Sequence, residues 1–122
     1  MVYNINGYTP KQGDFVIINF NPSIGREIKK RRPAIVVSAN HYNAVTGMCA
    51  VCPITNTKYK NYIALDKSHK LQGYINPFQI KTFDFMEKQR NVRFVEKATL
   101  AELGEVAQII DMVFDFSSLL SE

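Results

Sequence analysis

The alternation of hydrophobic and polar positions predicts several short strands in the first half of the chain. The runs FVIINF (15–20), AIVVS (34–38) and MCAVCPIT (48–55) are rich in apolar and β-branched residues, and AIVVS is apolar enough for a strand buried on both faces. A polar loop that extends to Arg32 separates the first two runs. Between the second and the third, NHYNAVTG (40–47) has the composition of a turn.

Weaker strand signals follow in NYIAL (61–65), GYINPFQI (73–80) and NVRFVEKA (91–98), and the chain then changes to a helical period. Thr99 and Glu102 have the spacing of a capping box, in which both side chains accept hydrogen bonds from backbone N–H groups. Behind them one helical face is apolar: Leu103, Val106, Ala107, Ile109, Ile110, Val113 and Phe114. Since no repeat or linker interrupts this order, we interpret the whole chain, residues 1–122, as a single α+β domain, a small barrel of short, mainly antiparallel strands with a C-terminal α-helix.

The composition is that of an ordinary globular protein. Hydrophobic residues make up 46% of the 122 positions and charged residues 21%. No stretch approaches the ~18 consecutive apolar residues of a membrane helix. The first residues lack the basic and apolar regions of a secretory signal, and two cysteines are typical of a reducing compartment. We therefore expect a cytoplasmic protein with no membrane partner.

The charge is distributed unevenly along the chain. All 15 Lys and Arg residues and six of the acidic residues lie at or before Lys97, which gives that part a net charge of +9. The five acidic residues after Lys97 give the remainder a net charge of −5. A basic body with an acidic tail indicates a polyanion such as nucleic acid, or an acidic protein, as the partner. The alternative is an uneven surface charge that has no function.

The densest basic cluster, GREIKKRR (25–32), lies directly before a predicted core strand. A solvated loop or a localisation signal is the ordinary alternative for such a run. Two features favour an anion site instead: the cluster contains Glu27, and Arg32 lies against the buried strand, which fixes its backbone. A second group of hydrogen-bond donors, TNTK (55–58), lies at the end of the third predicted strand. If the second and third strands are neighbours, Arg32 and Thr55 meet over one phosphate.

The remaining reactive side chains carry weaker signals. Cys49 and Cys52 form a single CxxC pattern inside a predicted strand, where residues three apart point to opposite faces. We therefore interpret both as core residues and not as a zinc or redox pair. His41 and His69 lie near no recognisable nucleophile motif, and we expect both on the surface, with general-base work as the alternative.

An ordered set of short motifs resembles the MazF/PemK family of toxin endoribonucleases. The matching pieces cover about half the chain: Gly13-Asp14, Asn21-Pro22, Gly25, Glu27, Arg32-Pro33, Ser38, Tyr42-Asn43, Thr46-Gly47 and Pro53-Ile54-Thr55. The resemblance implies an SH3-like barrel of the MazF/PemK/CcdB type that forms a homodimer. It also implies sequence-specific cleavage of single-stranded RNA without a metal or other cofactor. The expected partner is the acidic, partly disordered antitoxin of a type II toxin–antitoxin system.

The resemblance also implies roles for individual residues. The family's catalytic arginine and threonine correspond to Arg32 and Thr55, and its loop glutamate corresponds to Glu27. Cleavage without a metal uses the ribose 2′-OH as the nucleophile and leaves a 2′,3′-cyclic phosphate and a 5′-OH end. Arg32 suits stabilisation of the phosphorane, and Glu27 is the best proton acceptor unless it orders the loop through a salt bridge to Lys29 or Arg31. The other candidates are expected to hold the RNA: Arg26, Lys29, Lys30, Arg31, Ser38, Tyr42, Asn56, Lys58, Phe78 and Gln79.

The chain departs from the family pattern at several positions: Ile28 and Lys30 make the loop more basic and less glycine-like, and two further changes bear on the chemistry. Phe78 stands where many members have an aspartate that is a candidate base, and Arg26 replaces a loop histidine. Because this aspartate is missing, a second function stays possible: a catalytically silent barrel that binds nucleic acid in a salt-dependent manner without cutting it. A third alternative is a gyrase poison resembling CcdB, which would act through its C-terminal helix. We expect the exposed face of that helix to be acidic and not notably apolar, which argues against the third alternative.

Overall fold

The computed structural model describes residues 2–121, which contain seven strands and three helices. The strands are β1 (Asp14–Asn19), β2 (Arg31–Val36), β3 (Met48–Thr55), β4 (Ile63–Ala64), β5 (Tyr74–Ile75), β6 (Lys81–Asp84) and β7 (Arg93–Lys97). The helices are α1 (Asn40–Thr46), α2 (Leu100–Phe114) and α3 (Phe116–Leu120), and a 3-10 turn covers Lys88–Arg90. No helix in this described part is long and apolar enough to cross a membrane.

The strands form one curled antiparallel sheet with the order β4-β5-β3-β2-β1-β7. β3 is the longest strand and changes partner along its length, because Met48–Val51 pairs with β6 whereas Ile54 and Thr55 pair with β5. This change of partner rolls the sheet into a half-barrel, and α2 packs on one of its faces. The predicted α+β class, with a small antiparallel barrel and a C-terminal helix, is therefore confirmed.

The alternation of side chains along β1, β2 and β3 creates a hydrophobic core on each face of the sheet. Core 1 contains Val16, Ile18, Phe20, Ala34, Val36, Cys49, Val51, Phe83 and Phe85. Core 2 contains Phe15, Ile35, Cys52, Ile54, Ile63, Leu65, Ile75 and Val106. The two cysteines lie on opposite faces, and burial raises the pKa of each thiol to about 12. The interpretation of Cys49 and Cys52 as core residues is confirmed.

Residues Asn40–Thr46 form α1, so the prediction of a turn over this segment is wrong. The helix ends at Gly47, whose left-handed backbone (φ 72°) is a conformation that glycine adopts without strain. Asn43 is the fully buried residue of α1, and its side chain donates a 2.8 Å hydrogen bond to the carbonyl oxygen of Pro10. A helix this short needs such tertiary contacts, which the turn-like composition does not reveal.

Two strands also differ from the prediction. β2 begins at Arg31, because Arg31 and Arg32 pair with Asn19 and Ile18 of β1, so the preceding loop is shorter than expected. β6 is absent from the sequence-based prediction. Its sequence, KTFD, is too short and polar to indicate a strand by itself, and its pairing with β3 provides the stabilisation.

The capping box of α2 is confirmed, since Thr99 and Glu102 each accept a hydrogen bond from the other's backbone N–H. Within α2, four apolar residues pack against core 2: Leu103, Val106, Ile109 and Ile110. The expectation of an outer face that is not notably apolar is wrong. Several large apolar side chains of α2 and α3 are exposed: Leu100, Met112, Val113, Phe114, Phe116, Leu119 and Leu120.

The side chain of His69 is buried, which contradicts the surface position predicted for it. It is 7% exposed and lies 4.9 Å from the ring of Phe15, between centroids. Its Nε2 is 2.7 Å from the carboxylate of Glu102, and its Nδ1 is 3.3 Å from that of Glu96. Burial disfavours the imidazolium, but the two carboxylates outweigh it and raise the pKa of His69. We call His69, Glu96 and Glu102 the histidine cluster. The other histidine, His41, is exposed as predicted.

Candidate active site

A polar cleft of about 640 Å³ opens at the end of the sheet where β2 begins and β3 ends. Its walls come from the β1–β2 loop and from the segments that follow β3 and β5: Arg26, Glu27, Ile28, Thr55, Thr57, Tyr59, Tyr62, Asn76 and Gln79. Four of the predicted site residues therefore meet here: Arg26, Glu27, Thr55 and Gln79. Within residues 2–121, no group of three or more His, Cys, Asp or Glu side chains is arranged to hold a metal ion.

The register between β2 and β3 brings Arg32 next to this cleft. Ala34 pairs with Pro53 in the antiparallel ladder. Continuing the same register by two residues pairs Arg32 with Thr55 on the same face of the sheet. Arg32 is half-buried, and its Nε donates a hydrogen bond to the carbonyl oxygen of Lys29. This bond uses one guanidinium donor, so both terminal nitrogens keep their donors for a ligand. Arg32 borders the cleft through Thr55 and does not itself line it.

Thr55 is held in place by its neighbours on both sides. Its Oγ1 accepts a 3.1 Å hydrogen bond from the backbone N–H of Thr57, which leaves the hydroxyl proton free to be donated. Gly73 passes so close to β3 that a Cβ at this position would lie 2.6 Å from the carbonyl oxygen of Thr55. Gly73 also has a φ of 133°, which side-chain-bearing residues rarely adopt. Gly73 was not among the predicted site residues, although it is the first residue of the predicted strand segment 73–80.

Glu27 is engaged in two contacts inside its loop. One carboxylate oxygen accepts a 2.9 Å hydrogen bond from the backbone N–H of Ile24 and lies 2.9 Å from the Nζ of Lys81. The Ile24 hydrogen bond, followed by the Lys81 ion pair, lowers the pKa of Glu27. The carboxylate is therefore ionised at neutral pH. The salt bridge considered from the sequence exists, but its partner is Lys81 of β6 and neither Lys29 nor Arg31.

The segment after β5 fastens the β1–β2 loop to the sheet. Gln79 accepts a hydrogen bond from the backbone N–H of Ile28 through its side-chain oxygen. Asn76 is 8% exposed, its backbone N–H donates to the carbonyl of Pro53, and its side-chain oxygen accepts from the N–H of Phe78. Asn76 thus lines the cleft from a fixed position. The sequence analysis did not select it, because a lone asparagine before proline also signals a turn.

The basic residues of the loop do not all serve the cleft. Arg26 lines it, and Lys29 and Lys30 are exposed beside it in sequence. Arg31 alternates with Arg32 along β2, and its Nη2 donates a 2.9 Å hydrogen bond to the carbonyl oxygen of Asn91. Arg31 therefore faces away from the Arg32 side of the sheet. Two further predicted RNA-binding residues, Asn56 and Lys58, are exposed where the chain leaves β3.

Ser38 and Tyr42 are not brought to the cleft. Ser38 lies six residues beyond Arg32, past the other end of β2, which corresponds to about 20 Å along an extended chain. Its hydroxyl donates to the side-chain oxygen of Asn43 and accepts a 2.8 Å hydrogen bond from the N–H of Ala50. Tyr42 is exposed on α1, at the same distant end. These contacts give Ser38 a structural task, namely fastening α1 to β3.

Three aromatic rings form a row beside the cleft. The ring of Tyr62 lies 5.1 Å from that of Tyr59 and 6.4 Å from that of Phe78, between centroids. Tyr59 and Phe78 are 58% and 49% exposed. Of these three rings, only that of Phe78 was predicted from the sequence to contact RNA. The alternation of basic and aromatic residues in KYKNY (58–62) was the signal for the other two.

Comparison with known proteins gives consistent results. A family described as the PemK-like, MazF-like toxin of type II toxin–antitoxin systems matches residues 11–114. The endoribonuclease toxin MazF of Escherichia coli strain K12 is 41% identical over 58 residues, which are 48% of this chain and 51% of that protein. The alignment thus spans about half the length of the curated relatives.

Solved structures are similar over most of the chain. MazF from Deinococcus radiodurans has a TM-score of 0.82 at 29% identity, over 88% of this chain and 98% of that one. The toxin chain in a MazE–MazF crystal from the same organism has a TM-score of 0.76 at 28% identity, with the same coverage. A mycobacterial endoribonuclease in complex with its cognate antitoxin shares the fold at 18% identity and a TM-score of 0.70, over 88% of this chain and 94% of that one. Since the family match covers most of the chain, the protein belongs to the PemK-like, MazF-like family of type II toxins.

Proposed function

We propose that the protein is the toxin of a type II toxin–antitoxin system and inhibits translation and growth as a sequence-specific endoribonuclease. Its substrate is single-stranded RNA, and its mechanism uses neither a metal nor another cofactor. The observation that carries the proposal is the β2–β3 register, which places Arg32 opposite Thr55 at the edge of a polar cleft when it is continued two residues past the Ala34–Pro53 pair. The similarity to the Escherichia coli protein, which is named an endoribonuclease toxin, supports it.

In the proposed reaction the ribose 2′-OH loses its proton and attacks the adjacent phosphorus. The bond from phosphorus to the 5′ oxygen breaks, that oxygen takes up a proton, and the products are a 2′,3′-cyclic phosphate and a 5′-OH end. Arg32 stabilises the extra negative charge of the phosphorane, because its planar guanidinium pairs with two phosphate oxygens at once. Thr55 adds a hydrogen bond, since its oxygen already accepts from Thr57 and its proton is free.

Glu27 is the proposed proton acceptor. Its lowered pKa keeps it ionised at neutral pH, as an acceptor must be, but also makes it a weaker base. Phe78, which stands at the family's aspartate position, has no proton-accepting group, and an arginine side chain such as that of Arg32 offers donors but no acceptor. The same carboxylate orders the loop through Lys81, so the two roles must be separated by the pH dependence of cleavage.

The proposed partner, besides RNA, is an acidic and partly disordered antitoxin. Arg26 in the cleft and the exposed Lys29 and Lys30 of the same loop provide a surface of the opposite charge. The Deinococcus radiodurans relative was crystallised as a MazE–MazF complex, which supports a toxin–antitoxin pair here. Both the RNA substrate and the antitoxin would be encountered in the cytoplasm.

We further propose that the protein acts as a homodimer. A cavity of about 590 Å³ runs along α2 and is lined mainly by apolar side chains, among them Leu103, Ala107 and Phe114. Exposed apolar side chains of α2 and α3 continue this surface. Apolar patches of this kind are typical of surfaces that another chain covers. Light scattering of the isolated protein should give twice the mass of one chain, and a monomer would contradict this part of the proposal.

One experiment tests the activity directly. Purified protein is incubated with a long single-stranded RNA in the presence of EDTA, and new 5′-OH ends are mapped. The proposal predicts cuts that persist with the chelator and share a sequence motif. Salt-sensitive binding without cuts would support the silent barrel instead. Intact RNA together with co-purification of gyrase would favour the CcdB-like poison. The sequence argued against this alternative because an acidic helix face was expected, but the outer face of α2 carries exposed apolar side chains.

A further inference from the structure

The aromatic row beside the cleft lies outside the hydrophobic cores of the protein. Neither hydrophobic core includes Tyr59, Tyr62 or Phe78. Tyr62 is half-buried in the middle, whereas the two outer rings are about half exposed. Part of each outer ring is therefore in contact with water, and neighbouring exposed rings of this kind offer an apolar surface that a ligand can cover.

The surroundings of the row select the kind of ligand. Tyr59 and Tyr62 line the same cleft as Arg26 and Thr55, so a molecule that lies against the rings also reaches the proposed site of chemistry. Lys58 and Lys60 flank Tyr59 in the sequence, and both are exposed. Rings that alternate with cations are the arrangement by which proteins hold unpaired nucleotides, because the bases stack on the rings and the phosphates pair with the cations.

We propose that Tyr59, Tyr62 and Phe78 form a stacking platform for unpaired bases of the RNA next to the cleaved phosphate. The exposed rings of Tyr59 and Phe78 contact the bases, and Tyr62 supports both rings from between them. This inference rests on the proposed endoribonuclease function and goes further, because it identifies base stacking at these rings as a determinant of which sequences are bound. Phe78 thus supplies a stacking surface where the family pattern has a carboxylate.

The test is a double-mutant cycle in which the loss of a protein ring is combined with the loss of an RNA base and the Kd is measured for each combination. The probe is a 2′-O-methyl oligonucleotide that spans a mapped cut site, since it lacks the nucleophilic hydroxyl and is not cleaved. Each nucleotide is replaced in turn by an abasic residue, and the Kd is measured by fluorescence anisotropy for the wild type, Tyr59→Leu and Phe78→Leu. Loss of a stacked base should weaken wild-type binding about fivefold or more. The same abasic probe should change the Kd of the matching leucine variant less than about twofold.

The controls keep the rings and change their chemistry. Tyr59→Phe and Phe78→Tyr should bind like the wild type, and all four variants should retain the wild-type melting temperature because the replaced side chains are about half exposed. If the abasic penalties are equal in the wild type and the leucine variants, the bases stack elsewhere and the inference is overturned. The inference would also be overturned if the leucine variants lost only antitoxin binding while their Kd values for the RNA probes stayed those of the wild type. Failure of the wild type to bind or cut any RNA would instead overturn the proposed function.

Discussion

The β1–β2 loop and the histidine cluster are both dense in charge, but they differ in how that charge is compensated. In the histidine cluster, Glu102 accepts hydrogen bonds from the backbone N–H groups of Asp66 and Thr99 as well as contacting His69. Glu96 likewise accepts from the N–H groups of residues 70 and 71. In the loop, by contrast, the described ion pairs include only that between Glu27 and Lys81.

This difference separates a structural cluster from a binding site. Charges that are buried and fully hydrogen-bonded hold segments together but offer nothing to a ligand. Exposed cations at an open cleft create a positive potential that attracts a polyanion. Charge density along the sequence pointed only to the loop, whereas the structure shows that His69 and Glu102 bind the β4–β5 segment to α2.

The largest effect on stability is expected from breaking the histidine cluster. Glu102→Ala removes one partner of a buried ion pair together with the glutamate half of the α2 capping box, and should lower the free energy of unfolding by about 3–5 kcal/mol. Glu105→Ala removes an exposed carboxylate of the same helix and should change it by less than about 0.5 kcal/mol. Chemical denaturation of both variants measures the difference. Equal stabilities would mean that the cluster is not structural.

The pH dependence of stability should carry the signature of the same cluster. The pKa of His69 is raised, so its contribution is complete below its ordinary value of 6.5 and is lost as the pH rises through the folded value. The pKa values of Glu96 and Glu102 are lowered although burial opposes this, because hydrogen bonds and His69 outweigh it. Their contribution is therefore complete above 4.5 and is lost on further acidification.

The cluster should consequently stabilise the fold most between pH 4.5 and 6.5. Denaturation at a series of pH values should show a decline on the alkaline side no steeper than about 1.4 kcal/mol per pH unit, the limit for one proton. His69→Gln should remove this decline, because glutamine has no proton to lose in this range. If the free energy of unfolding still declines in the same way in His69→Gln, the decline comes from another titrating group.

The smallest effect on stability is expected at the loop, where it distinguishes the two roles of Glu27. Lys81→Met removes a partly exposed ion pair and should change the melting temperature only slightly, since solvent reaches and screens the pair. If Glu27 accepts the proton, cleavage fails as the pH falls through its pKa. Losing Lys81 raises that pKa, so the acid limb of the pH–rate profile should move to higher pH. If the acid limb does not move in Lys81→Met and Glu27→Gln still cleaves RNA, Glu27 is not the proton acceptor and only orders the loop.

Much of the fold could be predicted, because its signals are local. The long apolar runs and the capping box of Thr99 and Glu102 fix β1, β3 and the start of α2 within a few neighbouring residues. The elements that were missed depend on distant partners: α1 on the burial of Asn43 against Pro10, and β6 on its pairing with β3. Composition alone carries no information on such contacts.

The candidate site could be predicted in part for the same reason. Motif order pointed to Arg32, Thr55 and Glu27, and their roles remain predictions. The partner of Glu27 and the burial of His69 could not be predicted, since each depends on side chains more than 30 residues away in the sequence. Ser38 was selected through a motif, and only the structure reveals that its hydroxyl fastens α1.

The most direct test of the central claim compares two arginines in the cleavage assay. Arg32→Ala should reduce the rate at which 5′-OH ends appear by about 100-fold or more, the usual cost of removing one preorganised stabilising group, while the melting temperature stays near that of the wild type. Arg93→Ala, an exposed arginine on β7 away from the cleft, is the matched control and should cleave normally. A folded Arg32→Ala protein that cuts single-stranded RNA at the wild-type rate would contradict the assignment of the active site.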